Sequence, residues 1–186
     1  MTNMKETFTD TLMDMLNTQP LDTITVKDIV TRCGVSRQSF YYYFNDIYDI
    51  VEWIFTREAD RALAEYSDID NWKTGYVRMM KWSKAHRALV MNTYNSVRRE
   101  YIEYFMNRVL FQYIIRVVET EAKGIDATQE QCEFIANFYT LALNAISLDW
   151  IRRQMKEEPE EIAEKVGILL EGDFKKALIN FQKSNL

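Results

Sequence analysis

The chain has 186 residues, 47% of them apolar, with five glycines, two prolines and a formal net charge of −5. Such a length can bury a real core as one small head plus a larger body, and the scarcity of breakers, with long stretches of period near 3.6, excludes a sheet protein in favour of an all-α fold. No apolar run approaches the ~18 residues of a membrane span, and the start carries neither a basic region nor a cleavable apolar segment, so a cytoplasmic protein with no membrane partner is expected.

The first helix is expected over about residues 4 to 17, carrying Phe8, Leu12 and Leu16, and to stop before Gln19-Pro20, because the residue ahead of a proline avoids helical backbone. A short second helix follows. Thr25 can cap it, with Asp28 completing a capping box, while Val26, Ile29 and Val30 turn inward. Cys33-Gly34 ends it at a tight corner, since glycine accepts the left-handed backbone that such a stop needs. Ser36 is a strong cap for a third helix, and Val35 before it can staple onto Phe40. Between the anchors Phe40 and Phe44, the residues Arg37, Gln38, Ser39, Tyr41, Tyr42 and Tyr43 include an outward face of donors and aromatic hydroxyls that suits a major groove.

This segment resembles the helix-turn-helix of TetR/AcrR-type transcriptional regulators, whose usual run is ITVxDIAxxAGVSxxTFYxHFxxKxxL. Ile24, Thr25, Asp28, Ile29, Gly34, Val35, Ser36, Phe40, Tyr41 and Phe44 all stand where that pattern wants them. The tyrosine triplet followed by NDIYDIVEWIF is similar to a branch of the family that includes regulators of dihydroxyacetone kinase. Three positions depart: Tyr43 replaces a histidine, Ile47 stands where a phosphate-facing lysine is common, and Cys33 replaces an alanine. The resemblance implies a TetR-like fold, with a three-helix helix-turn-helix head over residues 1–46 and a helical-bundle body for effector binding and dimerisation over residues 47–186.

Asn45 or Asp46 can cap a fourth, connecting helix in which Ile47, Ile50, Val51, Ile54 and Glu58 share a face; it runs toward Tyr66 and breaks at SDIDN. A fifth helix is expected from about Trp72 to Ser83 and a sixth over about Ala88 to Ser96. The run YIEYFMNRVLFQYIIRVVETEA is apolar on so many sides that it should lie centrally, ending at Gly124. Thr128 and Gln131 open a long helix toward Met155. Pro159, flanked by Glu158, Glu160 and Glu161, starts one final helix through Phe181.

For DNA contact, Arg37 suits guanine, Gln38 adenine, and Ser39 either base or phosphate; Thr25, Lys27, Tyr41 and Tyr42 suit the backbone, with Ser36 at the start of the reading helix completing the set. Charge cuts against a simple electrostatic binder. Residues 1–60 hold five Lys and Arg against ten Asp and Glu, a balance of 5 minus 10, or −5, whereas counterion release favours a basic footprint. For the body, Met79, Trp82, Tyr94, Tyr101, Phe105 and Tyr139 are candidates to line an effector pocket, against the plainer alternative of helical core. The resemblance also implies a twofold dimer through the last two helices. Its candidate residues are Ala142, Ala145, Ile146, Asp149, Trp150, Leu169, Leu170, Asp173 and Phe174, again against ordinary core.

Cys33 and Cys132 are too isolated for a disulfide framework and are expected as reduced, semi-buried thiols. His86 is the single histidine, so no histidine pair for a metal and no triad is available, and no phosphate loop, nucleophile elbow or paired-cysteine motif occurs. No cofactor, metal or enzymatic activity is expected. The sequence is therefore read as a DNA-binding regulator, a ligand-responsive repressor that binds a palindromic operator as a homodimer and senses an unknown small molecule. The rival reading is a protein-interaction coregulator that keeps the head but relies on a partner regulator protein for effector sensing or DNA affinity, which the acidic head and Ile47 favour.

Overall fold

A computed structural model describes residues 3–63, 72–96 and 99–184, apart from the side chains of Ala62, Leu63 and Tyr101. Among the described residues every regular element is helical: α1 (Met4–Leu16), a 3-10 turn (Leu21–Thr23), α2 (Val26–Cys33), α3 (Arg37–Tyr43), α4 (Ile47–Leu63), α5 (Trp72–Ala85), α6 (Arg87–Tyr94), α7 (Arg99–Glu121), α8 (Gln129–Arg152), α9 (Pro159–Leu170) and α10 (Asp173–Ser184). The expected break at residues 67–71 lies outside the described residues. The contacts divide the chain into two compact units, Met1–Glu58 with Ala85–Phe105, and Ala59–Lys84 with Met106–Leu186.

In the first unit the amphipathic period of α1 buries Phe8, Leu12, Met15 and Leu16. It packs on α2 and α6, and Asn92 of α6 donates its Nδ2 to the Leu16 carbonyl at 3.0 Å, satisfying one of the open carbonyls at the end of α1. This is why the compact unit reaches beyond the helix-turn-helix: α6 supplies Leu89 and Val90, each 2% exposed, to the same core. From α4 come Ile47, Ile50, Val51 and Ile54. Each fully buried side chain of this kind stabilises by roughly 1.5–3 kcal/mol.

In the second unit α7 buries Leu110, Ile114, Val117 and Val118 but exposes Arg108, Gln112 and Arg116, so it offers one apolar stripe where the sequence suggested an all-round apolar helix. The inner face of α8 mixes Cys132, Ile135, Ala136, Leu143 and Ile151 with Thr140, Asn144 and Ser147. Those polar groups are largely satisfied. Ser147 Oγ donates to the Leu143 carbonyl at 2.9 Å, so the Tyr76 hydroxyl, 2.9 Å away, is the donor in their bond; Asn144 Nδ2 donates to Asn107 Oδ1, while Asn144 Oδ1 accepts nothing.

The expected single final helix is two. Gly172 sits at φ 73° and separates α9 from α10, a left-handed residue that no continuous α-helix accommodates. Leu170 and Phe174 on either side are both buried and hold the two segments to the core of this unit. At its other end α9 is tied to α5 by three ion pairs: Lys73–Glu164 at 3.3 Å, Lys84–Glu158 at 2.7 Å, and Lys81–Glu160. Glu158 and Glu160 on either side of Pro159 are thus part of a paired helix start, and Lys81 holds the Glu160 carboxyl below its ordinary pKa. By length and composition alone α8 could cross a membrane, which the sequence reading did not anticipate; just under half of its most apolar window, 44%, is buried inside the chain.

Candidate nucleic-acid interface

The corner between α2 and α3 is built from local hydrogen bonds. Thr25 Oγ1 accepts from the Asp28 N–H at 3.2 Å while Asp28 Oδ2 accepts from the Thr25 N–H at 2.9 Å, which closes the capping box. The Thr25 side chain, then its backbone N–H, then Lys27 hold the Asp28 carboxyl below its usual pKa. At the far end of α2, Gly34 adopts φ 67°, the Val35 N–H reaches the Val30 carbonyl at 3.0 Å, and the Gly34 N–H reaches Thr31 at 3.2 Å. That pair of bonds is a Schellman stop. Ser36 then accepts from the Ser39 N–H at 3.2 Å and starts α3.

Orientation of α3 follows from its aromatic anchor. Phe40 is 0% exposed, with its ring edge-on to Phe8 at 5.4 Å, and Phe44 lies 6.3 Å from the same ring. With that side held inward, Ser36, Arg37, Gln38, Tyr41 and Tyr42 are exposed, Tyr42 to 81%, and Ser39 is half-buried. Thr25 and Lys27 at the start of α2 are also exposed. All eight sequence-derived contact residues therefore belong to one small module, seven of them with open side chains. Tyr43, half-buried, packs instead on Phe8 at 6.3 Å. Ile47 is core, and the start of α4 is capped by acids: Asp46 Oδ1 accepts from the Asp49 N–H, and Asp49 Oδ2 from both the Asn45 N–H and its Nδ2, each at 2.9 Å.

Against known proteins, residues 8–54 match the family described as "Bacterial regulatory proteins, tetR family", and residues 70–172 match a "Transcriptional regulator C-terminal region" of the same kind. The chain belongs to the TetR family. It is a DNA-binding transcriptional regulator and not an enzyme. Curated relatives include the HTH-type dhaKLM operon transcriptional activator DhaS of Lactococcus lactis subsp. lactis (strain IL1403), 22% identical over 142 residues that span 75% of each chain. Similar solved structures include the dihydroxyacetone kinase operon activator DhaS (TM-score 0.70, 19% identity, 92% of this chain and 96% of that one). The fatty acid degradation regulator FadR of Bacillus halodurans gives 0.61, at 17% identity over 89% and 93%. The TetR family repressor AlkX of Dietzia sp. strain DQ12-45-1b gives 0.59, at 14% over 92% and 97%. At these identities the structures speak for the shared TetR-like fold.

The effector candidates are drawn from both units. Met79, Trp82 and Tyr139 belong to the second unit, Tyr94 and Phe105 to the first, and the Tyr101 side chain lies outside the described residues. Met79 packs with Val109 and Tyr113 against Ala59, Tyr139 stacks edge-on to Phe174 at 4.7 Å, and the Arg99 guanidinium lies 4.5 Å above the Tyr94 ring. Phe105 lines a cavity of about 20 Å³ with Tyr48, Val51, Phe55, Thr93 and Ile102, room for one water and for no larger molecule.

Of the dimer candidates, Ala142, Ala145 and Leu169 are exposed, and Ile146, Asp149 and Asp173 are half-buried. Trp150, Leu170 and Phe174 are 1%, 8% and 4% exposed, and the Trp150 Nε1–H donates to the Glu157 carbonyl at 3.0 Å. Those three are core of this chain, and Trp150 also forms part of the wall of a groove between α8 and α9. The residues that do stand out are Phe134, Phe138 and Leu141 on α8, with Ile168 beside Leu169 on α9, all more than half exposed. A signal existed. Apolar residues of α8 fall into two stripes, 132-135-136-143 and 134-138-141-145, more than one buried face requires.

Proposed function

We propose that this TetR-family regulator binds a palindromic operator as a twofold dimer, with α3 of each copy in successive major grooves, and that a small molecule held in the helical body changes its affinity. The carrying observation is the split of α3 into a buried Phe40 side and an open side that holds Arg37, Gln38 and the 81%-exposed Tyr42. Arg37 and Gln38 stand on the first turn, where the ends of reading helices meet base edges, with Arg suited to guanine and Gln to adenine. Thr25, Lys27, Ser36, Ser39, Tyr41 and Tyr42 surround them for phosphate and sugar. Paired half-sites are needed because one seven-residue helix, on a head with more acids than bases, gives little affinity alone. As for sign, the relatives include an operon activator and a repressor, and this regulator represses by occupying the promoter.

For the effector, the sequence-derived lining of Met79, Trp82, Tyr94, Tyr101, Phe105 and Tyr139 is retained as the region to probe. Dihydroxyacetone is the first compound to test, since one relative is named for a dihydroxyacetone kinase operon.

The second reading, a coregulator that needs a partner protein, draws on the acid-capped start of α4 and the buried Ile47 beside the reading helix. Footprinting with the purified protein decides between them. Protection of two half-sites about one helical turn apart, lost in Arg37→Ala with an affinity drop of roughly 10- to 100-fold, supports the regulator acting alone. No protection at any concentration below nonspecific coating supports the partner.

A further inference from the structure

Along α8 the exposed stripe is graded in size: Phe134 and Phe138 at its N-terminal half, Leu141 and Ala142 in the middle, Ala145 beyond, all exposed. Residues at these spacings lie on one side of a helix. Where the stripe turns small, a groove of about 460 Å³ opens between α8 and α9, with Ala145, Ile146, Ile162, Val166 and Leu169 among its walls. The groove is rimmed by Asp149 and Arg153, already paired with each other at 3.0 Å. One face thus carries both a bulky aromatic projection and a hollow, about two to three helical turns apart.

We infer that the occupant of this groove is Phe138 of a second copy, with the two α8 helices antiparallel about a twofold axis near Leu141 and Ala142. The inference rests on the dimer reading above and adds its register. A twofold axis makes every contact occur twice, residue i on j and j on i. Antiparallel pairing centred between 141 and 142 sets 138 against 145, so each aromatic enters the other copy's hollow. Parallel pairing would set Phe138 against Phe138 and leave both grooves empty, at odds with the close packing of stable interfaces. The other projecting groups, Phe134, Leu141 and Leu169, flank the same contact. Together the stripe offers on the order of 500 Å² of apolar surface per copy, within reach of a standard interface.

Size exchange tests the register. The dimer dissociation constant is measured by sedimentation equilibrium for wild type, Phe138→Ala, Ala145→Phe, and the double variant. The expected result is a rise of about 100-fold or more in each single variant, since each change strikes two symmetric contacts. The double variant recovers to within about tenfold of wild type, because projection and hollow have changed places. Both positions are exposed, and matching far-UV melting curves at low concentration check that the fold is kept. Independently, in a Cys33→Ser, Cys132→Ala background, a Phe138→Cys, Ala145→Cys protein oxidised with copper phenanthroline should run as a covalent dimer, and the proteins carrying only one of the two introduced cysteines should not. A wild-type dimer whose constant moves less than threefold in Phe138→Ala, or a double variant no tighter than its weaker parent, overturns the register and leaves the dimer standing. A wild type that stays monomeric at millimolar concentration overturns both.

Discussion

Gly34 offers the sharpest test of how the head is built. Its backbone lies at φ 67°, ψ 32°, and a Cβ added there would meet nothing within 4 Å. Room is therefore not what the position requires; left-handed backbone is. Replacing Gly34 with Ala should cost the left-handed penalty alone, roughly 1–2 kcal/mol. For a chain of this size that lowers the unfolding midpoint by roughly 2–8 °C. Gly34→Asn should cost a fraction of that, since the short amide tolerates this region. Thermal unfolding followed by circular dichroism measures both. Because nothing collides, the Val35-to-Val30 and Gly34-to-Thr31 hydrogen bonds persist, and a mobility-shift titration on a selected operator should find less than about a threefold change per folded molecule. A loss above roughly 4 kcal/mol, or an Asn variant no better than Ala, would refute the argument, because either result means that the corner is crowded and not merely left-handed.

Three further outcomes follow from the same geometry. Since Thr25 holds the Asp28 carboxyl below its ordinary value of 3.8, the capping box stabilises at neutral pH and above the unfolded-state value, and is lost as pH falls through the lower folded-state value. An NMR titration of Asp28 should give a midpoint under 3.8 that returns toward it in Thr25→Val. Trp150→Ala should cost roughly 3–5 kcal/mol independently of protein concentration, as core loss does; a loss that vanishes on dilution would return Trp150 to the dimer interface. Asp49→Asn keeps an acceptor for the Asn45 N–H but removes a charge close to the reading helix. It should tighten operator binding by about threefold, and an unchanged or weaker shift would place the α4 start away from the duplex.

The head was legible almost residue by residue because its determinants are local. Thr25, Asp28, Gly34 and Ser36 act through hydrogen bonds that close within five residues, and their chemistry survives without knowledge of the rest of the chain. The body was legible only as helices. Trp150 and Ala145 look alike to periodicity, five residues apart on an apolar helix, yet one is core and the other open to solvent; which side a neighbour covers is decided by residues far away in sequence. The break at Gly172 was missed because the apolar period continues through it from Leu170 to Phe174. Pocket residues are the hardest to read. Aromatics spaced for burial carry no mark of whether a cavity or another side chain meets them.

Two of the left-handed corners among the described residues are made by different means. After α2 a glycine takes the conformation freely, whereas after α8 the residues Gln154 and Met155 sit at φ 66° and 53° with full side chains, closed by a Met155 N–H bond to the Trp150 carbonyl. Met155 is 2% exposed, so its burial is what secures a backbone that would otherwise relax. The first corner is thus intrinsic to its own few residues and would survive transplantation into another scaffold. The second is borrowed from its surroundings, and it would be among the earliest parts of the molecule to let go when the packing beneath it loosens.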